Sequence, residues 1–165
     1  MDRFVRAQER DYAQALAELK AGRKRTHWIW YILPQLLELG RSPMAREYGI
    51  TGRAEAAAYL AHPILGPRLL ACVHAVLGHA DATAVEILGA VDAMKFRSCL
   101  TLFHAVAPGE ACFANALQVF YDGKPDAETL CRLGVGRQRR PQAFQETHHQ
   151  IGQRQVQENK EGRQE

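Results

Sequence analysis

The amino-acid sequence predicts an all-α protein, a compact single-domain bundle of about seven short helices. Three observations predict this class: apolar residues recur at helical spacing, the periodic segments end at glycine or proline, and no two strand-like segments can be paired. Hydrophobic residues make up 47% of the chain, which is enough for one buried core. The length of 165 residues leaves little room for a second domain.

The two ends of the chain differ in composition. Residues 1–136 carry nearly all the apolar content and hold 15 Lys and Arg against 14 Asp and Glu, so this part is close to neutral. Residues 137–165 hold eight glutamines and few large apolar side chains, too few to offset the entropy lost on ordering. We therefore expect a helical domain over 1–136 and a polar, disordered tail over 137–165.

The first helix is predicted from Val5, Tyr12, Leu16 and Leu19, which recur at helical spacing before a stop at Gly22. Further along, serine in the cap position followed by proline in the first turn predicts a helix start at residues 42–43.

Residues 27–33 have a strand-like composition, rich in aromatic and β-branched side chains. No partner strand is visible, and a lone strand leaves its backbone hydrogen bonds unmade. The segment is therefore interpreted as a buried helix, and Pro34 is expected to open a short helix, Gln35–Leu39, that ends at Gly40.

The remaining chain reads as a series of helices over residues 53–61, 63–77, 83–88, 91–106 and 110–121. The segment 91–106 is the longest apolar run and closes at Pro108-Gly109. Asp126 is expected to cap a last helix that runs through Leu133.

The cysteines Cys72, Cys99, Cys112 and Cys131 all lie in apolar, helix-like segments, and none form a Cys-x-x-Cys pair. This predicts buried, reduced thiols in a cytosolic protein. The N-terminus has no long apolar run, and no stretch approaches the roughly 18 apolar residues of a membrane span. We therefore expect a cytoplasmic protein with no membrane partner.

A set of ordered motifs over residues 3–133 resembles one bacterial family, Domain of Unknown Function 1810. The motifs are Phe4-Val5-x-Ala7-Gln8, Tyr12, Glu18-Leu19-x-x-Gly22-x-Lys24-x-x-His27-Trp28-x-Trp30-x-x-x-Pro34-Gln35, Tyr48-Gly49-Ile50, Glu55-Ala56-x-x-Tyr59-Leu60-x-His62-Pro63-x-Leu65-Gly66-x-Arg68-Leu69, Asp92-x-x-Lys95-x-x-Ser98-x-x-Thr101-Leu102-Phe103 and Gly123-x-x-Asp126-x-x-Thr129-Leu130. The resemblance implies a compact, mainly helical fold and no established activity. Members are sometimes labelled calpastatin-like, but inhibitors of that type are disordered chains, whereas residues 1–136 have the apolar content of an autonomous core.

The first candidate site is a charged pair, Asp92 and Lys95, which lie three residues apart and so share a helix face. Val91, Met94, Leu100 and Phe103 are expected to make its surroundings apolar. Charge pairs held in such surroundings are typical of catalytic sites. The alternative is a structural ion pair that orients two helices, or a solvated edge of the helix. The hydroxyls of Ser98 and Thr101 could contact a ligand or bond the carbonyl one turn back.

The second candidate site combines Lys24, His27, Trp28, Trp30 and Gln35. Tryptophan faces can stack on a base or sugar, an imidazole can act as acid or base near neutral pH, and glutamine can bind an amide or base edge. The alternative is a tryptophan-anchored core with His27 hydrogen-bonded at its rim.

Two functions follow as hypotheses. In the first, the two clusters share one pocket that binds or hydrolyses a small nucleotide-like or sugar-like molecule, with Asp92, Lys95 and His27 catalytic and Lys24, Trp28, Trp30, Gln35, Ser98 and Thr101 as ligand contacts. In the second, the protein is a non-catalytic protein–protein interaction module with an exposed apolar patch. The standard nucleotide, phosphate and zinc motifs are lacking, so no cofactor and no metal is expected. The near-neutral domain, whose basic residues form no stripe, predicts no nucleic-acid partner. A monomer or weak homo-oligomer is expected.

Overall fold

The structure is a computed structural model that describes residues 1–135. Over these residues the chain forms nine α-helices and one 3₁₀ turn. In chain order they are α1 (Asp2–Lys20), α2 (Ile29–Ile32), the 3₁₀ turn Leu37–Leu39, α3 (Pro43–Glu47), α4 (Arg53–Ala61), α5 (Leu65–Leu77), α6 (Ala84–Leu88), α7 (Ala90–Val106), α8 (Ala111–Tyr121) and α9 (Ala127–Arg132). The all-α prediction is confirmed, with nine α-helices in place of about seven. The predicted disordered tail lies outside the described residues.

Helix α7 occupies the centre of the described domain and packs against α4, α6, α8 and α9. Its inward face adds Phe96, Cys99, Leu100 and Phe103 to the core, all fully buried. Helix α1 closes another side of the core by packing on α2 and α5. The long apolar run in the sequence therefore forms the central element, since four other helices pack against it.

A chain of aromatic rings runs through this core. The rings of Phe4 and Tyr59 meet edge to face at 5.0 Å, Tyr59 lies 5.5 Å from Phe103, and Phe103 stacks on Phe113 at 5.8 Å. These contacts join α1, α4, α7 and α8, because aromatic side chains combine a large buried area with favourable ring pairing.

Local sequence signals set most helix ends. The Ser42 hydroxyl accepts a hydrogen bond from the Ala45 N–H and caps α3, and the Asp126 carboxylate does the same for α9 through the Thr129 N–H. A capping box between Thr83 and Glu86 starts α6. The two caps predicted from sequence are confirmed.

The segment with strand-like composition is helical, as predicted, but only over α2. Residues 35–36 then run extended, and a single parallel bridge pairs Leu36 with Ile50. The predicted helix Gln35–Leu39 was too long, since only Leu37–Leu39 forms a 3₁₀ turn. The reason is that the Gln35 carbonyl accepts a hydrogen bond from the Ile50 N–H, and the Leu37 N–H donates to the Ile50 carbonyl. This bridge fixes the position of the backbone at Gln35.

Three of the four cysteines are buried, as expected, whereas Cys131 is exposed on α9. The prediction was wrong for Cys131 because α9 is a short edge helix that buries only Thr129. Within residues 1–135, no single helix is both long and apolar enough to cross a membrane; α4 and α5 reach that length and hydropathy only together, across a bend of 88°.

Candidate functional site

An ion cluster joins the loop before α2 to the first turns of α7. The Lys24 ammonium lies 2.9 Å from Asp92 Oδ2, and the Lys95 ammonium lies 3.6 Å from Asp92 Oδ1. Lys24 Nζ also donates to the Thr26 carbonyl at 2.6 Å. Two ammonium groups face one carboxylate, so the cluster has a surplus of positive charge. The two stretches predicted as candidate sites therefore do meet, and they meet through these charges.

Each lysine of the cluster also lies over a tryptophan. Lys24 Nζ is 5.1 Å from the centre of the Trp28 ring, and Lys95 Nζ is 5.1 Å from that of Trp30. At this distance the negative face of an indole attracts the cation. Each lysine is thus held by two contacts, one with a tryptophan ring and one with Asp92.

The two tryptophans differ in their environments. Trp28 is 1% exposed, and its indole N–H donates to Glu18 at 2.9 Å, so it is an anchor of the core. Trp30 is only partly buried. Its Nε1 is enclosed, and no acceptor among residues 1–135 lies within hydrogen-bonding distance. An enclosed donor without a partner is uncommon and energetically costly, which distinguishes Trp30 from Trp28.

A buried carboxylate, Glu18, organises the loop that carries Lys24. It accepts hydrogen bonds from the Arg25 N–H (2.8 Å), the Thr26 N–H (3.1 Å) and hydroxyl (2.6 Å), the Trp28 indole (2.9 Å) and the Gln14 amide (3.0 Å). Burial alone would raise the pKa of Glu18, but these donors outweigh it and hold the pKa at about 2. Glu18 was not among the predicted site residues. Its signal was a glutamate in the apolar stripe of α1, beside Ala15 and Leu19.

An open cleft of about 360 Å³ lies along α7 next to the cluster. A second hollow of about 10 Å³, the size of one water molecule, lies behind Trp30, and Gln35 and Lys95 line both spaces. The cleft is lined by Gln35, Leu39, Val91, Met94, Lys95, Arg97, Ser98, Asp126 and Glu128. Its volume falls at the lower end of the range for small-molecule sites.

Three charged residues of the cleft were not among the predicted site residues: Arg97, Asp126 and Glu128. Arg97 donates to the carbonyls of Lys124 and Pro125 at 2.8 and 3.2 Å. The packing of α9 on α7 brings these groups together. No local sequence signal reports that packing, so the sequence could not have assigned them to the site.

The surroundings of the charged pair are less apolar than expected. Leu100 and Phe103 are buried on the core side, but Val91 and Met94 are 66% and 72% exposed. They lie on the outer face of α7, one turn apart, and form the rim of the cleft. Asp92 and Lys95 therefore sit at the border between core and solvent.

The other predicted site residues divide into two groups. Ser98 lines the cleft, and its hydroxyl donates to the Met94 carbonyl at 3.2 Å. Thr101 is buried below it, where it donates to the Arg97 carbonyl and accepts from the Asp126 N–H, both at 2.8 Å. His27 is exposed, and His27 and Trp28 line neither hollow. The structure thus brings together Lys24, Trp30, Gln35, Asp92, Lys95 and Ser98.

Over residues 1–135, the His, Cys, Asp and Glu side chains form no group of three or more that could hold a metal ion.

Comparison with known proteins gives one family and one solved structure. The family model described as "Protein of unknown function (DUF1810)" matches residues 1–133. The crystal structure of the conserved hypothetical protein Rv1873 from Mycobacterium tuberculosis is 42% identical in sequence, with a TM-score of 0.80, and the match covers 81% of this chain and 96% of that chain. The comparison with curated proteins found no match. The family match spans most of the sequence and agrees with the resemblance seen in its motifs. This chain therefore belongs to the DUF1810 family.

Proposed function

We propose that the protein binds a small sugar-like or nucleotide-like molecule in the cleft along α7. The observation that carries this proposal is the position of Lys95. Its ammonium belongs to the ion cluster, lies over Trp30 and lines both hollows. A concave surface with a few convergent polar groups is the usual form of a small-molecule site.

The residues of the cleft suggest distinct roles. Lys95 supplies a charged contact, Gln35 an amide that can donate and accept, and Ser98 a hydroxyl whose oxygen can still accept a hydrogen bond. Leu39 and Met94 supply apolar contacts at the rim. This mixture suits a ligand with both polar groups and a flat or apolar face.

The contacts favour binding over hydrolysis. Both oxygens of Asp92 face ammonium groups, which makes this residue a holder of the two lysines. His27 lies outside the cleft lining, so it has no role in this proposal.

The direct test is a thermal-shift screen against nucleotides, sugars and sugar phosphates, followed by calorimetry on the hits. Lys95→Met is the test variant. Lys20→Met is its matched control, because Lys20 is exposed at the end of α1 and lines neither hollow. We expect a hit to raise the melting temperature of the wild type and of Lys20→Met but not of Lys95→Met. Binding that survives intact in Lys95→Met would contradict the proposal, as would silence across the library at millimolar concentration.

A second candidate function is a protein–protein interaction module. The observation that favours it is the exposed pair Val91 and Met94, which leaves an apolar strip on the outer face of α7. Light scattering after size exclusion separates the two. A molar mass that rises with concentration in the wild type, but not in Met94→Glu, would favour this second function.

A further inference from the structure

We infer that the ligand of the α7 cleft carries a phosphate group, and that Lys95 and Arg97 bind it; this inference rests on the proposed function. The ligand class is then a phosphorylated sugar or nucleoside rather than a neutral one. Of the three cations Lys24, Lys95 and Arg97, only the last two still have free hydrogen-bond donors.

Lys24 is fully committed to the protein. Its side chain is 8% exposed, and its ammonium contacts Asp92 at 2.9 Å, the Thr26 carbonyl at 2.6 Å and the face of Trp28. An ammonium has only three N–H donors, so little remains for a ligand. The role of Lys24 is therefore to form an ion pair with Asp92.

Lys95 is in the opposite situation. Its side chain is 23% exposed, and its contact with Asp92 is long, at 3.6 Å. Since Lys24 lies closer to the same carboxylate, the charge of Lys95 is only partly balanced within the protein. A ligand anion entering the cleft meets Lys95 with donors to spare.

Arg97 adds a second cation to the cleft lining. Its Nε and Nη2 donate to backbone carbonyls, and its guanidinium lies 5.7 Å from the Tyr121 ring. Among residues 1–135, no carboxylate lies within ion-pair distance of it, so these contacts fix the side chain without neutralising it. A guanidinium held in this way with unused N–H groups is well suited to phosphate.

Over the described residues, the two acidic residues of the cleft form no ion pair with Lys95 or Arg97. The Asp126 carboxylate accepts from the N–H and hydroxyl of Thr129, and Glu128 pairs with Arg132 at 2.8 Å. Both carboxylates are thus held by groups of α9. Their remaining lone pairs suit the hydroxyl groups of a sugar, which donate hydrogen bonds. A cationic part and an acidic part in one cleft match a phosphate joined to a polyol.

The experiment compares matched ligand pairs by calorimetry: ribose 5-phosphate with ribose, and AMP with adenosine. We expect the phosphorylated member of at least one pair to bind about tenfold or more tightly, because charge-assisted hydrogen bonds are the strong ones. This preference should fall to about twofold or less in Lys95→Met and in Arg97→Gln, stay unchanged in Lys20→Met, and weaken with added NaCl. Lys95→Arg keeps the charge and should retain most of it.

The outcomes separate the inference from the proposed function. If ribose or adenosine binds as tightly as its phosphorylated partner, and Lys95→Met abolishes that binding, the site stands and the phosphate inference fails. If no ligand of either pair binds, both fail. If inorganic phosphate alone binds with the same affinity as ribose 5-phosphate, the inferred contacts to the sugar are wrong. Melting temperatures of all variants without ligand establish that they are folded.

Discussion

The Lys24 ammonium lies 2.9 Å from Asp92 Oδ2, and this ion pair ties the loop before α2 to the first turn of α7. The two side chains are only 8% and 17% exposed, so the pair is largely removed from water. Loss of one partner from such a pair leaves an uncompensated charge, which costs more than loss of a surface ion pair.

We therefore predict that Asp92→Asn lowers the free energy of unfolding by about 2 kcal/mol. The variant leaves Lys24 and Lys95 close together without their shared carboxylate. Urea denaturation at pH 7 measures the change. The control is Glu128→Gln, which removes an exposed ion pair with Arg132 and should leave stability nearly unchanged. Equal losses of stability in both variants would show that the ion cluster stabilises the fold no more than an exposed ion pair does.

Glu18 should make stability depend on acid pH. Its pKa in the folded protein is about 2, below the ordinary value of 4.5, so the stabilisation is fully present above about pH 4.5 and is lost as pH falls towards 2. This difference in pKa corresponds to a contribution of Glu18 to the free energy of unfolding of about 3 kcal/mol. Glu18→Gln should be less stable than the wild type at pH 7 by a similar amount, and the difference should shrink towards pH 2. A difference that stays constant from pH 7 to pH 2 would contradict the linkage.

Gly66 should tolerate no side chain. It lies in the first turn of α5, where a Cβ atom would come within 2.0 Å of the Leu60 carbonyl oxygen at the bend from α4. Because that neighbour is backbone, relief requires the two helices to separate. We expect Gly66→Ala to destabilise the protein by about 2 kcal/mol or more, measured by urea denaturation. Gly109→Ala is the control, since a Cβ atom there meets only open space.

Ligand binding should change the fluorescence of Trp30 and not that of Trp28. The chain has two tryptophans, and only Trp30 lines a hollow next to the cleft, whereas Trp28 is 1% exposed. We expect a ligand to shift the fluorescence emission of the wild type. In Trp30→Phe this shift should vanish, although calorimetry should still detect binding. A shift retained in Trp30→Phe would move the ligand away from the proposed cleft.

The four thiols should differ sharply in reactivity. Burial raises the pKa of Cys72 to about 12 and raises the pKa of Cys99 well above its usual range, whereas Cys131 is exposed. Burial also raises the pKa of Cys112 to about 12. Because the thiolate is the reactive form, a disulfide reagent at pH 8 should modify one thiol per native chain rapidly. Cys131→Ser should remove that fast phase, and urea should expose all the remaining thiols. More than one fast thiol in the native wild type would be inconsistent with this burial.

The sequence determined the helical class, the positions of most helix ends and the two stretches that carry the candidate site. These features are local: a capping serine or aspartate acts within one turn, as at Ser42 and Asp126, and apolar spacing reports which face of a helix is buried. Spacing also placed Asp92 and Lys95 on one helix face. The same local logic failed at Cys131, because exposure depends on where α9 lies in the fold.

Only the tertiary structure decided which distant residues meet. The contact of Lys24 with Asp92, the extended course of Gln35 along Ile50, and the arrival of Asp126 beside Arg97 all depend on helix packing. It also gave the two tryptophans different environments: Trp28 is buried with its indole N–H bonded to Glu18, whereas Trp30 lines the small hollow next to the cleft. The physical reason is that packing sums many weak, non-directional apolar contacts across the whole chain, whereas sequence patterns report only the preferences of neighbouring residues.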